Sequence, residues 1–560
     1  MDKADAKSTT VWGIDLGTTY SCISKVDEYG RPIVIGNRDG DPVTPSVVMF
    51  TGPDDIQVGK EAKRQMQLDP DQVCELVKRH MGEADWRFAV HDTEWSAPEV
   101  SAHILKALCE DAELQTREKV EKVIITVPAY FGIAEREATI AGGKIAGLEV
   151  IDVINEPTAA AMSYGFAQGA DIDETVLVYD LGGGTFDVTV IRLEPSDSGS
   201  HIRVVATGGN ARLGGAQWDQ RVVELLVRKF SEAHPEAPDP LDDEVATAEL
   251  RLAAEDVKRG LTLRDSLTQI VVSGEVRDNV ELTREEFEQA TRDLLDQTIE
   301  FTRETVEKAK GLGVEGIDRV LLVGGSSFMP AVAEQLAANF DGWTPELQDA
   351  NQAVAKGAAL LGFQAELRAK LDEEAAASGA DATAAEVEQK VAEEMGVARD
   401  TLQRIRDTAV TNVCSRGFGI KLLREGMNPG TEDPAHFLID HLIGPNTPLP
   451  VEPVERTYGT IVANQDHVRV ELWEQAGSEL SEQLAHNEEI GQGVIPLPGT
   501  DPAGEPIAVS LTMEANGTLK AHASHRGGTT LDFEVEAKDA ILSEEEINAS
   551  AERVAAMTRA

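Results

Sequence analysis

The sequence predicts an α/β region followed by an antiparallel β domain, and three observations carry that expectation. Residues 8–368 alternate strand-like and helix-like segments, the pattern of an α/β fold. From residue 413 to 537 the hydrophobic period switches to two, as in half-buried antiparallel strands. Within the first region a phrase recurs: "VWGIDLGTTYS", Val11 to Ser21, returns loosely as "VYDLGGGTFDVTV", Val178 to Val190. A strand and loop used twice predict two similar subdomains with a cleft between them.

In chain order, "VWGIDL", "KVIITVPA", "VLVYDLG" and "RVLLVGG" read as buried strands, and "IAEREATIAGGKIAGL" and "MPAVAEQLAANF" as helices. Within the connector 369–412, residues 369–407 are rich in Ala and Glu and lack a strand signal. Val387, Val391 and Met395 fall four apart there, so this stretch reads as a charged, partly helical connector. In "IAVSLTMEANGTLKAHAS", Ile507, Val509, Leu511 and Met513 share one face, and Asn516-Gly517 predicts a hairpin turn. Ser543 stands three residues before Glu546, a capping box that opens one short helix in the final segment, 538–560.

The bulk properties bound the function. The chain has 560 residues, too many for one core, and a formal net charge of −48. Such acidity disfavours nucleic acid and anionic membrane surfaces as partners. No apolar run is long enough to span a bilayer, and "MDKADAKSTT" lacks the apolar core of a signal peptide. The four cysteines are scattered without CxxC spacing, which argues against a metal or redox site. A cytoplasmic location is the expectation.

The repeated loop suggests its own chemistry. Asp15 ends a strand, Gly17 lets the backbone turn tightly, and Thr18, Thr19 and Tyr20 then offer successive N–H groups. That concave run of donors suits a phosphate. The carboxylate at the strand end fits if Mg²⁺ and its waters lie between it and the phosphate. The second loop repeats the logic with Asp180, Gly182, Gly183, Gly184, Thr185 and Asp187. Two such loops facing one another would grip a polyphosphate from both sides. Neither a Walker A nor a GxGxxG spacing is present. A third glycine pair, Gly324-Gly325 in "VLLVGGSSFMP", follows a strand and could lie flat against a nucleoside.

These phrases, together with "TPSVV", "VGKEAKRQ", "VIITVPAYF", "AGLEVIDVINEPTAAAMSYGF" and "LGGAQWD", stand in the order seen in the seventy-kilodalton heat-shock proteins. The chain resembles that family of DnaK-type molecular chaperones densely from residue 11 to about 365 and loosely from 413 to 545. The resemblance implies a two-lobed actin/hexokinase-like ATPase domain and a C-terminal β-sandwich that binds extended apolar peptide segments. It implies ATP and ADP as ligands with Mg²⁺, the metal being held through water by Asp15, Asp180 and Asp187. Gly17, Thr18, Thr19, Tyr20 and the Gly182–Thr185 backbone would hold phosphates. Lys78, in "CELVKRHMG", matches the family lysine that orients the attacking water, and Glu156 matches the glutamate on the metal side. Glu255, Lys258, Arg259 and Thr262 match ribose and adenine contacts, as do Gly324, Gly325, Ser326, Phe328 and Asn351. Ile420, Leu423, Tyr458, Ile461, Val468, Val470 and Ile507 match the peptide pocket, although any β-sandwich core needs several such residues. Pro128 and Arg136 match residues linked to interdomain signalling.

Four departures qualify what the resemblance implies. The short acidic-leucine linker is replaced by residues 369–412, which puts interdomain coupling in question. The long helical lid is reduced to one helix, so bound peptide should exchange quickly. Asp152 replaces an arginine that contacts J-domain cochaperones, so their recruitment should be weak, while a nucleotide-exchange factor remains an implied partner. Phe328 replaces an adenine-stacking arginine and Asn351 an aspartate. The leading expectation is an ATP-dependent chaperone-like protein. The alternatives are a nucleotide-gated scaffold with low turnover and dedicated partners, and a kinase of the same superfold.

Overall fold

A computed structural model of the chain describes residues 10–169, 172–196, 200–378, 383–428, 430, 433–477, 480–535 and 542–559. Two sheets of matching topology organise its first part. In the first sheet, Val11–Asp15 lies at the centre, parallel to Lys122–Val127, which is parallel to Glu149–Asn155. On its other side run the antiparallel strands Tyr20–Val26 and Pro32–Ile35. In the second sheet, Glu174–Leu181 takes the central place, with Arg319–Val323 and Pro345–Leu347 parallel on one side. Phe186–Pro195 and Ser200–Asn210 follow antiparallel on the other. The sequence repeat is therefore a repeat of sheet topology, and each copy of the loop joins the first two strands of its sheet.

The central strands read as nearly unbroken apolar runs because helices cover both faces. Trp12 and Ile14 are fully buried in the first lobe, as are Val176 to Tyr179 in the second. Burying each large side chain stabilises by about 1.5–3 kcal/mol. The helix Ala97–Thr116 starts where Ser96 and Glu99 cap each other, the Ser96 N–H donating to the Glu99 carboxylate at 2.9 Å. The helix Ala353–Ser378 packs against Val11–Asp15 and against the helix Glu156–Gln168. Its fully buried alanines, Ala355, Ala358 and Ala359, permit that close approach.

Residues 369–412 are not a free tether. The first helix of the connector is the continuation of Ala353–Ser378, which runs through the expected boundary at residue 368. The helices Ala384–Met395 and Arg399–Asp407 fold back on it, and Val391, Ala392 and Leu402 form one apolar cluster with Leu367. Leaving the Val387/Val391 stripe in water would forgo that burial. The Gln364 amide also donates to the Ile405 carbonyl at 2.6 Å. Ala409–Thr411 then extends the second-lobe sheet, parallel to Ser200–Asn210.

Residues beyond 413 form two four-stranded antiparallel sheets. One has the order Phe437–Ile443, Phe418–Leu423, His467–Gln475, Asn487–Pro496. The other runs Val451–Gly459, Pro506–Met513, Leu519–His525, Thr530–Glu534. Their apolar side chains share one cluster, which Ile133 of the first lobe joins. The Asn516-Gly517 turn lies between the expected strands, with Gly517 at φ 91°, but the register pairs Met513 with Leu519. The loop is therefore five residues long, not two.

The last helix, Glu544–Ala556, is capped by Ser543 and Glu546 as expected, yet it is no lid. It packs on the first-lobe helices Ala97–Thr116 and Ile133–Ile145, and Ile547, Val554 and Met557 are buried in the first-lobe core. Thr558–Arg559 then pairs in parallel with Asp55 and Ile56.

Candidate functional site

The two copies of the loop meet. Asp15–Tyr20 links the first two strands of the first lobe, and Leu181–Phe186 does so in the second, closed by a Gly182 N–H to Thr185 carbonyl bond of 3.0 Å. A Cβ on Gly183 would lie 2.0 Å from Thr19 Oγ1, and one on Gly184 would lie 2.3 Å from Thr18 Cγ2. Glycine is needed here because threonines from the other lobe fill the space a side chain would take. The loops thus interlock across the cleft.

They border a cavity of about 370 Å³. At its floor lie Asp15, Gly17, Thr18, Thr19, Glu156, Asp180, Gly182, Gly183 and Thr185. Tyr20, Glu255, Lys258, Arg259 and Thr262 line a second wall, the last four from the helix Glu244–Leu263. Gly324, Gly325, Ser326, Phe328 and Asn351 line a third, with Phe328 42% exposed at the rim. Three expected site residues, Lys78, Gly184 and Asp187, sit just behind this lining.

The floor is a cluster of buried carboxylates around one ammonium. Lys78, 4% exposed, donates to Glu156 Oε1 at 2.6 Å. Burial, and then the Glu156 charge, push Asp15 up to about 7 and push Asp180 and Asp187 well above the usual carboxylate range. Thr126 donates to Asp15 at 3.2 Å, and the Ala129 N–H donates to Asp187 Oδ1 at 3.2 Å. Asp187 Oδ2 is buried without any partner. Four carboxylates share one lysine, their crowding favours holding protons or a cation, and one of their oxygens has no partner. Hard oxygen donors in this number fit a divalent cation such as Mg²⁺ with its waters.

Contacts across the cleft tie the second and third walls together. The Tyr20 hydroxyl donates to Glu255 Oε1 at 2.7 Å, and Lys63 ion-pairs with Glu255 while its ammonium lies 3.3 Å from the Tyr20 oxygen. Lys258 bonds the Gly215 carbonyl at 3.1 Å and Asp219 at 2.8 Å. Ser326 donates to the Gly182 carbonyl at 2.9 Å, tying the third glycine segment to the second loop. Asp219 and Lys63 were not singled out from the sequence. Asp219 closes the phrase "LGGAQWD", which was the available signal, whereas Lys63 is one lysine in a helix full of charges.

The residues matched to a peptide pocket are not brought together as a groove. Ile420, Val470 and Ile507 are at most 4% exposed in the shared core of the two sheets. Leu423, Tyr458 and Val468 are half-buried, and the Tyr458 hydroxyl is taken by Asp440 at 2.8 Å. Ile461 is 50% exposed in the loop after Val451–Gly459. Ile507 faces inward as its period-two pattern predicts, and Ile420 and Val470 pack in the same cluster between the two sheets.

The β part is instead seated on the first lobe. Arg416 donates to the Tyr130 carbonyl at 3.1 Å and to Glu135 at 2.7 Å, with Glu474 3.6 Å away. Asp152 and Arg136 line this junction. Asp152 is half-buried, accepts the Val153 N–H at 2.8 Å, and is pushed up by burial, so it is not a free surface charge.

Other candidate sites carry less. All four cysteines are free and buried, and burial pushes the Cys74 and Cys414 thiols up to about 12. Asp501, Glu505 and His525 cluster in the β part, but the Gly527 N–H donates to His525 Nδ1 at 3.2 Å. The ring's proton then sits on Nε2 and leaves no lone pair for a metal. Among the described residues no helix is long and apolar enough to cross a membrane.

Compared with known families, residues 11–371 match the model described as Hsp70 protein. That family combines an actin/hexokinase-like, Mg²⁺-dependent ATPase with binding of unfolded polypeptides. The matched region exceeds half of the chain and contains both interlocked loops, so the chain belongs to the Hsp70 family.

Proposed function

We propose that this protein hydrolyses ATP to ADP and phosphate at the cleft and uses the lobe movement to control binding of extended polypeptide. The observation that carries the reading is the interlocking of Thr18 and Thr19 with Gly183 and Gly184 above the Asp15, Asp180, Asp187 and Glu156 cluster. The N–H groups of both loops would hold phosphate oxygens. Asp15, Asp180 and Asp187 would hold Mg²⁺ through its waters, and the ion supplies neutralisation of phosphate charge. Lys78, fixed by Glu156, would position the attacking water in line with the terminal phosphoryl. Glu255, Lys258, Arg259 and Phe328 would hold ribose and base. Because the same ligand touches both lobes, loss of the terminal phosphate changes how firmly they are joined.

A second reading, a nucleotide-gated scaffold with low turnover, is favoured by one observation. The β part is anchored at its entrance by Arg416 and at its exit by the helix Glu544–Ala556, and Ile420, Val470 and Ile507 of its candidate pocket residues are buried. J-domain recruitment through Asp152 is weak on either reading. Steady-state ATPase with and without an apolar peptide, in the wild type and in Lys78→Ala, separates them. Full activity in Lys78→Ala refutes the catalytic assignment. A peptide that neither binds nor stimulates refutes the chaperone reading in favour of the scaffold.

A further inference from the structure

The cleft cavity has a neighbour. A second cavity of about 590 Å³ adjoins it and shares Thr18, Thr19, Asp219 and Glu255 with it. Lys78 and Arg79 are consecutive on the short turn Val77–His80 and serve different cavities. Lys78 turns to Glu156, while Arg79 lines the second cavity.

Arg79 forms no ion pair among the described residues, although the Glu75 carboxylate on the same cavity wall offsets part of its charge. Its Nη2 donates to the Gly184 carbonyl at 2.8 Å and to Gln217 Oε1 at 3.2 Å, both neutral acceptors. Its Nε is buried with no acceptor, and among the described residues no carboxylate ion-pairs with it. Of the cavity's other cations, Lys63 is paired with Glu255 and Arg221 with Glu224 and Asp293, while Arg251 likewise has no ion pair among the described residues. A half-buried guanidinium whose hydrogen bonds go only to neutral acceptors keeps capacity for an anion. The fork of N–H donors suits the oxygens of phosphate. The shared threonine loop puts this guanidinium next to the place where a terminal phosphate would be cut free.

We propose that the second cavity receives the inorganic phosphate left by hydrolysis, with Arg79 holding it on its way out. This rests on the nucleotide-hydrolysis reading above. Hydrolysis adds water to the terminal phosphorus and breaks its bond to the bridging oxygen; in the second cavity no bond is made or broken, and phosphate is only bound and released.

The test is calorimetric titration of inorganic phosphate into the full-length protein, with Mg²⁺–ADP and without nucleotide. Arg79→Ala should weaken phosphate binding by about tenfold, the loss of a charged hydrogen-bond pair. Gln220→Trp, which adds bulk at an exposed residue lining only the second cavity, should weaken it too. Lys78→Ala should change it little. The proposal is overturned if the wild type binds no phosphate, if Arg79→Ala binds as the wild type does, or if Lys78→Ala loses as much, which places phosphate in the first cavity. ADP titration of the same proteins judges the nucleotide reading separately, while the nucleotide-free arm still judges the cavity. In single turnovers, the interval between quench-detected hydrolysis and sensor-detected release should change in Arg79→Ala. An unchanged interval beside weakened binding assigns the site to free phosphate and overturns the exit role.

Discussion

Arg559→Ala probes the least expected feature of this chain, the return of its C-terminal end to the first lobe. Arg559 is 9% exposed at its side chain and clasps Asp111 with both nitrogens, at 2.9 and 3.1 Å. It also donates to the Ala107 carbonyl at 2.8 Å. Asp111 is 3% exposed, so losing Arg559 takes two charged hydrogen bonds from a buried carboxylate. Breaking a buried pair from one side costs about 3–5 kcal/mol. Arg38 stays on Asp111 at 3.0 Å, which puts the expectation at the lower end, about 3 kcal/mol. For a unit of the first lobe's size that is a fall in Tm of about 6–12 °C. Scanning calorimetry of Arg559→Ala, Asp111→Ala and the double variant reads both the fall and the coupling. Coupling above about 1 kcal/mol exceeds what independent sites show. A Tm change within about 1 °C, or strict additivity of the two substitutions, refutes the docking, and a lid over the β part would give that result.

Three further outcomes follow from the same geometry. Gly183→Ala sets a methyl 2.0 Å from Thr19 Oγ1 and should cut fluorescent-ADP affinity by about tenfold or more; equal affinity would mean the loops do not interlock. Glu474 is pushed by burial from 4.5 up to about 7 despite the Arg416 charge. The folded state therefore holds a proton that the unfolded state releases, so stability falls as pH rises from about 4.5 to 7, by about 3 kcal/mol, and is level above. Glu474→Gln should flatten that slope in denaturant titrations at pH 5 and 8, and an unaltered slope would assign it to other groups. Lys63→Ala removes the cross-cleft pair with Glu255 and should speed ADP dissociation several-fold in stopped flow, which equal rates would contradict.

Some of this was written locally. A glycine-rich loop after an apolar strand carries its geometry in adjacent residues, so the loops at 15–20 and 180–187 were legible one by one, and their duplication announced two lobes. Ser543 and Glu546 likewise announced a helix start because both halves of the cap lie within one turn. Lys63 and Arg79 had no such signal. Each is an ordinary cation among others in sequence, and only the meeting of distant segments gives it Glu255 or the Gly184 carbonyl as a partner.

By itself, then, the sequence determined the main strands and helices, the paired loops and the loop residues that line the cleft, because period and turn chemistry act over a few neighbours. Tertiary structure alone decided what each amphipathic face would meet. A stripe such as Ile547, Ser550 and Val554 states that a face must be buried, not against what. Ile420, Val470 and Ile507 state that they point inward, not whether a peptide or a second sheet fills the space. The apolar drive to burial is non-directional, and the partner was chosen by which surfaces, hundreds of residues apart, fit and had charges to match.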